Sequence, residues 1–242
     1  MPTNFPTNPD TYTTKVDGVD TVMAAHINDL QDAMMAVQDF ALDLRDGWCY
    51  DTDTWTYVSA TSFKVSGKDV RYKFPKGTKI KLTNSGTKYF YVVATAFSTD
   101  TTITITGGSD YNLANENISG QAYSYAAAPQ GFPERFAYTP TVTYAGGTTN
   151  PTSITTDFVF AMIGGVVIVT GIGQLTRGSG DREFTIFSLP FAVSKGQTGS
   201  FATQYAATVL SVYSTGDKNS VTCNHTAMNA DGYYWFTFVG LM

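Results

Sequence analysis

The chain has 242 residues, of which 14% are aromatic and 14% are charged, and its formal net charge is −5. A high aromatic and low charged content is typical of a folded, β-rich protein and argues against disorder. The acidic balance argues against a surface that coats nucleic acid, and no apolar run is long enough to cross a membrane.

Two features of the chain indicate where it is made. Residues 1–14 lack a basic segment followed by an apolar core, so we expect no signal peptide. The two cysteines, Cys49 and Cys223, lie far apart without a spacing motif. Lone thiols of this kind are typical of a protein made in a reducing cytoplasm.

Residues 1–20 are rich in Thr and Asn and contain Pro2, Pro6 and Pro9. This composition cannot bury enough apolar surface to fold alone. We therefore expect an extended arm that becomes ordered when another protein supplies a groove, and the alternative is a frayed tail.

Residues 21–46 carry the most regular pattern in the sequence, a helix with apolar residues at alternating spacings of four and three. Asp20 or Thr21 is expected to cap its start, and Gly47 follows its end. The pattern fits an amphipathic helix lying on the chain's own core, or a short coiled coil between copies of the chain. We favour the coiled coil because the heptad register never breaks, although these residue types do not choose between two and three strands. The predicted seam consists of Met23, Ile27, Leu30, Met34, Val37, Ala41 and Leu44.

Residues 47–128 predict a small antiparallel β-barrel or sandwich. Strands are expected over residues 79–83 and 88–96, joined by a hairpin turn at residues 84–86, and the repeat TTITIT predicts another strand. Lys79 and Lys81 alternate with Ile80 and Leu82, which predicts one solvated face. That face is also a candidate surface for an acidic partner.

The segment 129–140 contains Pro129, Pro133, Pro140 and Gly131 and is predicted to be a linker. Residues 141–242 then predict a C-terminal β-sandwich of jelly-roll type. Its clearest hairpin has two apolar runs joined by Gly164–Gly165. Both faces of these runs are apolar, so we expect at least one strand to be buried between layers or between subunits.

Catalytic and cofactor chemistry is sparse in this sequence. It contains two histidines and no P-loop, GxSxG, HExxH or dinucleotide-binding motif. Cys223 and His225 supply two potential zinc ligands, which is too few for a closed structural site. The sequence therefore predicts a non-enzymatic protein without a metal or another cofactor.

Two segments of the chain resemble proteins of a known family. The segment FPTNPDTYTT followed by VMAAHINDLQDAMMAVQ resembles the N-terminal region of tail-fibre and related appendage proteins of tailed bacteriophages. The stretch from WTYVSATSF through FPKGTKIKLTNSGTKYFYVVATAF to GGSDYNLAN resembles a small β-domain that recurs in phage structural proteins. The order of arm, helix and β-domain carries this resemblance as far as residue 140. The remaining residues share with such proteins only a predicted β-rich character and no specific motif.

The resemblance implies a homotrimeric fibre or spike on the virion, assembled in the host cytoplasm. Residues 1–46 would attach to other virion proteins, and the C-terminal β-domain would face the host. Aromatic faces stack on sugar rings, so a host-surface glycan is the candidate ligand of an exposed aromatic patch. About half of the candidate residues are expected to pack inside, because side chains alternate along a strand. The candidates are Tyr213, Tyr233, Tyr234 and Trp235.

Three alternatives stay open at this stage. The chain fits equally a fibre or decoration protein of the phage head or neck. A monomeric carbohydrate-binding module would keep its size and its glycan binding after deletion of residues 1–46. A polysaccharide-degrading spike would need a cluster of carboxylates in a groove.

Overall fold

The structure is a computed structural model that describes residues 16, 19, 23–145, 153–175, 184–193, 199–203, 206–213, 220–224 and 232–241. The described residues form one α-helix and two antiparallel sheets. The predicted mainly β fold class is confirmed. The predicted arm falls outside the described residues, apart from Val16 and Val19.

The predicted helix is present as α1, Ala24–Asp46. The backbone N–H of Met23 donates a hydrogen bond to Nδ1 of His26, at 3.1 Å, and so satisfies a donor at the helix start. Gly47 follows the helix with φ +74°, a left-handed conformation that ends many helices. The proposed caps Asp20 and Thr21 lie outside the described residues.

The N-terminal β-domain is a seven-stranded antiparallel sheet in the order β1-β7-β4-β5-β6-β3-β2. The predicted hairpin is confirmed, because Thr83 pairs with Thr87 and Ser85 takes φ +52° in the turn. Inside the sheet, the rings of Trp55 and Phe63 stack with centroids 4.3 Å apart. The strands are β1 Cys49–Tyr50, β2 Trp55–Ser59, β3 Ser62–Val65, β4 Lys79–Thr83, β5 Thr87–Phe97, β6 Thr101–Thr106 and β7 Ser119–Ser124.

The C-terminal β-domain is one continuous nine-stranded sheet in the order β8-β10-β11-β16-β13-β14-β15-β12-β9. The sheet curls, so that Phe187 of β12 meets Phe158 of β10 and Phe236 of β16, with ring centroids 5.7 Å and 5.2 Å away. The continuous pairing distinguishes this domain from the predicted jelly-roll sandwich. The strands are β8 Phe136–Tyr138, β9 Val142–Ala145, β10 Ser153–Ile163, β11 Val166–Leu175, β12 Phe184–Ser188, β13 Gly199–Thr203, β14 Ala206–Tyr213, β15 Ser220–Asn224 and β16 Gly232–Leu241.

The segment 129–140, predicted to be a linker, is held by both β-domains. Phe132 and Phe136 pack against Tyr91 of β5, with ring centroids 5.0 Å and 5.4 Å from it. The backbone N–H of Gln130 donates to the carbonyl of Asp46 at the end of α1, at 2.9 Å. The aromatic residues of this segment therefore pack into a core that the two domains share, and two of its prolines are buried as well.

The backbones of the two β-domains also touch directly. A Cβ atom at Gly108 would overlap the carbonyl oxygen of Ala137 in β8, and one at Gly77 would overlap the carbonyl oxygen of Gly164. The N–H of Ala137 donates to Oδ2 of Asp110 at 2.9 Å. In this structure the domains pack as one body instead of swinging about a linker.

The prediction that Lys79 lies on a solvated face of β4 is wrong, because Lys79 is only 7% exposed. Its ammonium donates to the carbonyl of Ala126 at 2.9 Å and lies 5.6 Å from the ring centroid of Phe132. Burial lowers the pKa of Lys79. Lys81 lies near the rings of Trp48 and Tyr50, at 5.1 Å and 5.0 Å from their centroids. Residues packed over this face bury Lys79 and partly cover Lys81, which strand alternation alone does not show.

Candidate functional site

The first candidate surface is the α1 seam, the heptad positions predicted above. Its first five residues leave between 48% and 61% of their surface exposed, and Ala41 is exposed as well. The side chain of Leu44 lies outside the described part of the chain. The seam therefore does not rest on the chain's own core, and its association with other copies stays a prediction. These five residues are Met23, Ile27, Leu30, Met34 and Val37.

The apolar surface of α1 is wider than the heptad seam. Met35 is 61% exposed and Phe40 is 37% exposed, and both lie outside the predicted positions. A wider stripe is expected of a helix that contacts more than one neighbour. A strict heptad reading missed both residues because it scores only two positions in seven.

The second candidate surface is the outer face, formed by the outward side chains of β10, β11 and β16. On β16 the burial alternates strictly, with Tyr233 and Trp235 outside and Phe236 inside. Tyr234 is fully buried, which removes it from the candidate ligand surface. The side chain of Tyr213 lies outside the described residues. Two of the four predicted aromatic residues therefore share one exposed surface.

The strand register builds two rows across the outer face. Asp157 pairs with Ile172, and Ile172 pairs with Trp235. In the next row, Thr170 pairs with Thr237. These rows line an open groove of about 310 Å³, here called the Trp235 groove. Its lining includes the side chains of Arg135, Asp157, Thr170, Ile172, Trp235 and Thr237.

Arg135 enters the Trp235 groove from the segment just before β8. Because Phe136 pairs with Phe160 of β10, the chain at Arg135 runs beside the strand that carries Asp157. Both residues are exposed, and neither makes an ion pair or side-chain hydrogen bond with any described residue. The groove thus offers one cation and one anion that the fold does not use.

A different cluster of charges lies in the N-terminal β-domain, and its groups are already paired. Oδ1 and Oδ2 of Asp51 accept hydrogen bonds from Nζ of Lys73 and Nε1 of Trp55, at 2.9 Å and 3.0 Å. Asp53 accepts from Lys68 and, at 2.9 Å, from Lys73. Hydrogen bonds from Lys68 and Lys73 hold the pKa of Asp53 below its usual value. Such a cluster stabilises the fold and leaves no group free for a substrate.

The pKa of Lys73 in this cluster is also set by its hydrogen bonds to the aspartates. Burial by itself would lower the pKa of Lys73, but hydrogen bonds to Asp53 and Asp51 outweigh that effect and raise it. A lysine held so firmly in its charged form has no free electron pair with which to act as a base or nucleophile. The pairing therefore agrees with a structural role for the cluster.

No group of three or more His, Cys, Asp and Glu side chains among the described residues is placed to hold a metal ion. In the same part of the chain, no helix has the length and apolar character needed to cross a membrane. Of the two potential zinc ligands, only the backbone of Cys223 is described, and His225 lies outside the described residues.

Two exposed surfaces are therefore the candidates for function, the α1 seam and the outer face with its groove. Comparisons with protein-family models, with curated proteins and with solved structures found no match to this chain.

Proposed function

We propose that this chain is a non-enzymatic structural protein of a tailed-phage particle. In the proposal it is a trimeric tail fibre or receptor-binding appendage. Residues 1–46 join the copies and attach them to other virion proteins, and the C-terminal β-domain contacts the host surface. The observation that carries the proposal is the exposed α1 seam.

The exposed seam supports self-association on energetic grounds. An isolated helix of this length is marginal in water, because most helical stability in proteins comes from packing an apolar face. Burying the exposed halves of five seam side chains would contribute on the order of 5 kcal/mol per helix. Three parallel copies provide that burial, and the additional exposed Met35 favours more than one neighbour.

The shared aromatic core supports the second half of the proposal. Tyr91 of the N-terminal β-domain packs against Phe136 of the C-terminal β-domain, so the two domains form one stiff unit beyond the helix. A stiff unit holds its outer face at a fixed distance and angle from the attachment point. Three such faces on one trimer would combine weak contacts by avidity.

A matched pair of variants tests the assembly. Ile27→Asp with Leu30→Asp places two charges in the seam, whereas Asn28→Asp with Gln31→Asp places two charges on neighbouring positions outside it. Light scattering should give a trimer mass for the full chain and for the outside variant, and a monomer mass for the seam variant. A monomeric full chain, or a seam variant that stays trimeric, would contradict the proposed assembly.

A monomeric carbohydrate-binding module is the second candidate, and the Trp235 groove is the observation that favours it. Deleting residues 1–46 separates the two candidates. The module would keep both its mass and its glycan binding after the deletion, whereas the appendage would lose its trimer mass and with it the avidity for a multivalent surface.

A further inference from the structure

The Trp235 groove combines groups that are usually found apart on a protein surface. Trp235 is 46% exposed and presents a flat apolar ring. Thr170 and Thr237 add hydroxyl groups in the adjacent row, and Arg135 and Asp157 add a donor and an acceptor that have no partner among the described residues. Because neither charge is used by another described residue, both can bond a ligand that lies on the ring of Trp235.

The charges of the groove limit the class of that ligand. Arg135 and Asp157 are the charged residues among its lining groups, so the groove carries one charge of each sign. A polyanion such as a nucleic acid or an acidic polysaccharide would meet the carboxylate of Asp157 as well as the guanidinium of Arg135. The chain's net charge of −5 adds to that repulsion. The electrostatics favour a neutral ligand that carries both donors and acceptors.

The sheet topology excludes the most common mode of peptide binding. β10 pairs with β8 and β11, and β16 pairs with β11 and β13. The floor of the groove is therefore made of interior strands, and the edge strand β8 beside it is capped at Ala137, whose N–H and carbonyl oxygen bond Asp110 and Ser109. An extended peptide has no free edge here to which it could add as a further strand.

We propose that the Trp235 groove binds a neutral saccharide. A pyranose ring lies with its C–H face on Trp235, its hydroxyls donate to Asp157, and its oxygens accept from Arg135. The threonine hydroxyls of the next row bond the adjoining sugar. This inference rests on the proposed function, because it takes the outer face as the surface turned to the host.

Intrinsic fluorescence gives a direct readout of this site. The chain has three tryptophans, and Trp48 and Trp55 are each only 1% exposed. Acrylamide should therefore quench Trp235 preferentially. Methyl glycosides of glucose, galactose and N-acetylglucosamine are the neutral probes, and glucuronic acid and heparin are the acidic comparators. We expect at least one neutral probe to protect Trp235 from the quencher in the full-length protein.

Variants separate the groove from the rest of the outer face. Saturation-transfer NMR should show binding weakened about tenfold or more by the isosteric Asp157→Asn, since hydrogen bonds to charged groups are worth at least that factor. Trp235→Ala should weaken it as well, because it removes the ring on which the sugar stacks. Val239→Ala is the matched control, because Val239 is exposed on the same face of the same strand but lies outside the groove. It should bind like the wild type.

Several outcomes would overturn the inference. These are the absence of binding by every neutral probe, binding that Asp157→Asn leaves unchanged, and binding of the acidic comparators alone. Failure of acrylamide to quench Trp235 in the free protein would also overturn it, because another copy of the chain would then cover the groove. Light scattering on the same samples keeps the two proposals apart. Sugar binding by a monomeric full chain would contradict the proposed trimer and support the saccharide site. A trimer that binds no sugar would support the proposed assembly and contradict the saccharide site.

Discussion

The two β-domains use their charged residues in opposite ways. In the N-terminal β-domain, Asp51, Asp53 and Lys73 bond one another or nearby groups, and their side chains are at most 17% exposed. On the outer face of the C-terminal β-domain, Arg135 and Asp157 line one groove and bond no described residue. The first arrangement holds a fold together, and the second is available to a ligand. Charge alone therefore says little about function until the partners of each charge are known.

The junction between the domains provides the largest expected effect. Phe136 is fully buried and its ring contacts those of Tyr91 and Phe160, at centroid distances of 5.4 Å and 5.7 Å. Phe136→Ala should lower the free energy of unfolding by about 3–5 kcal/mol, the usual cost of emptying a buried phenylalanine site. Urea unfolding followed by circular dichroism measures the loss.

The exposed aromatic residue Tyr72 supplies the control for that experiment. Tyr72 is 75% exposed, so Tyr72→Ala should change the unfolding free energy by about 0.5 kcal/mol or less. If the domains share one core, the wild type unfolds in a single transition and Phe136→Ala shifts the whole of it. Two separate transitions in the wild type would show that the domains are independent after all.

Replacing a carboxylate of the paired cluster should have an intermediate effect on the free energy of unfolding. Asp53 has a side chain that is 9% exposed and receives hydrogen bonds from two lysines. Asp53→Asn should cost about 2 kcal/mol at neutral pH, because hydrogen bonds between charged groups are lost. Asp69→Asn is the control, since it alters an exposed ion pair with Arg71. We expect it to leave the urea midpoint unchanged.

The pH dependence of the Asp53 effect follows from the sign of its pKa shift. The pKa of Asp53 is lower in the folded chain, mainly because Lys68 and then Lys73 donate hydrogen bonds to the carboxylate. Its contribution is therefore present above the unfolded pKa of about 3.9 and is lost as the pH falls through the folded value. The difference in stability between wild type and Asp53→Asn should shrink below about pH 4. A difference that stays constant down to pH 2 would show that pairing of this carboxylate is not its source.

The sequence predicted what depends on neighbours along the chain and missed what depends on packing between distant segments. Residues 79–83 form β4 with the predicted bounds, and α1 ends at residue 46 as predicted. Strand alternation also predicted that about half of the aromatic residues near Trp235 would point inward, as Tyr234 does. The burial of Lys79 and the packing of Phe132 and Phe136 were missed, because each depends on residues far away in sequence.

The two charged residues of the Trp235 groove could not be predicted from the sequence either. Trp235 belonged to a visible aromatic cluster, but Arg135 lies in the segment read as a linker and Asp157 lies far from both. Only the pairing of β10 with β8 and β11, together with that of β11 with β16, brings these residues to one groove. A lone arginine and a lone aspartate carry no local signal that could have indicated this site.

The smallest expected effect completes the comparison between the domains. Asp157→Asn makes the same chemical change as Asp53→Asn, but at a carboxylate that has no partner among the described residues. It should alter the free energy of unfolding by no more than about 0.5 kcal/mol, as surface substitutions usually do. Urea unfolding of the two variants side by side measures the contrast. A cost at Asp157 as large as that at Asp53 would mean that its carboxylate helps to hold the fold, and the groove would then have no uncommitted anion to offer a ligand.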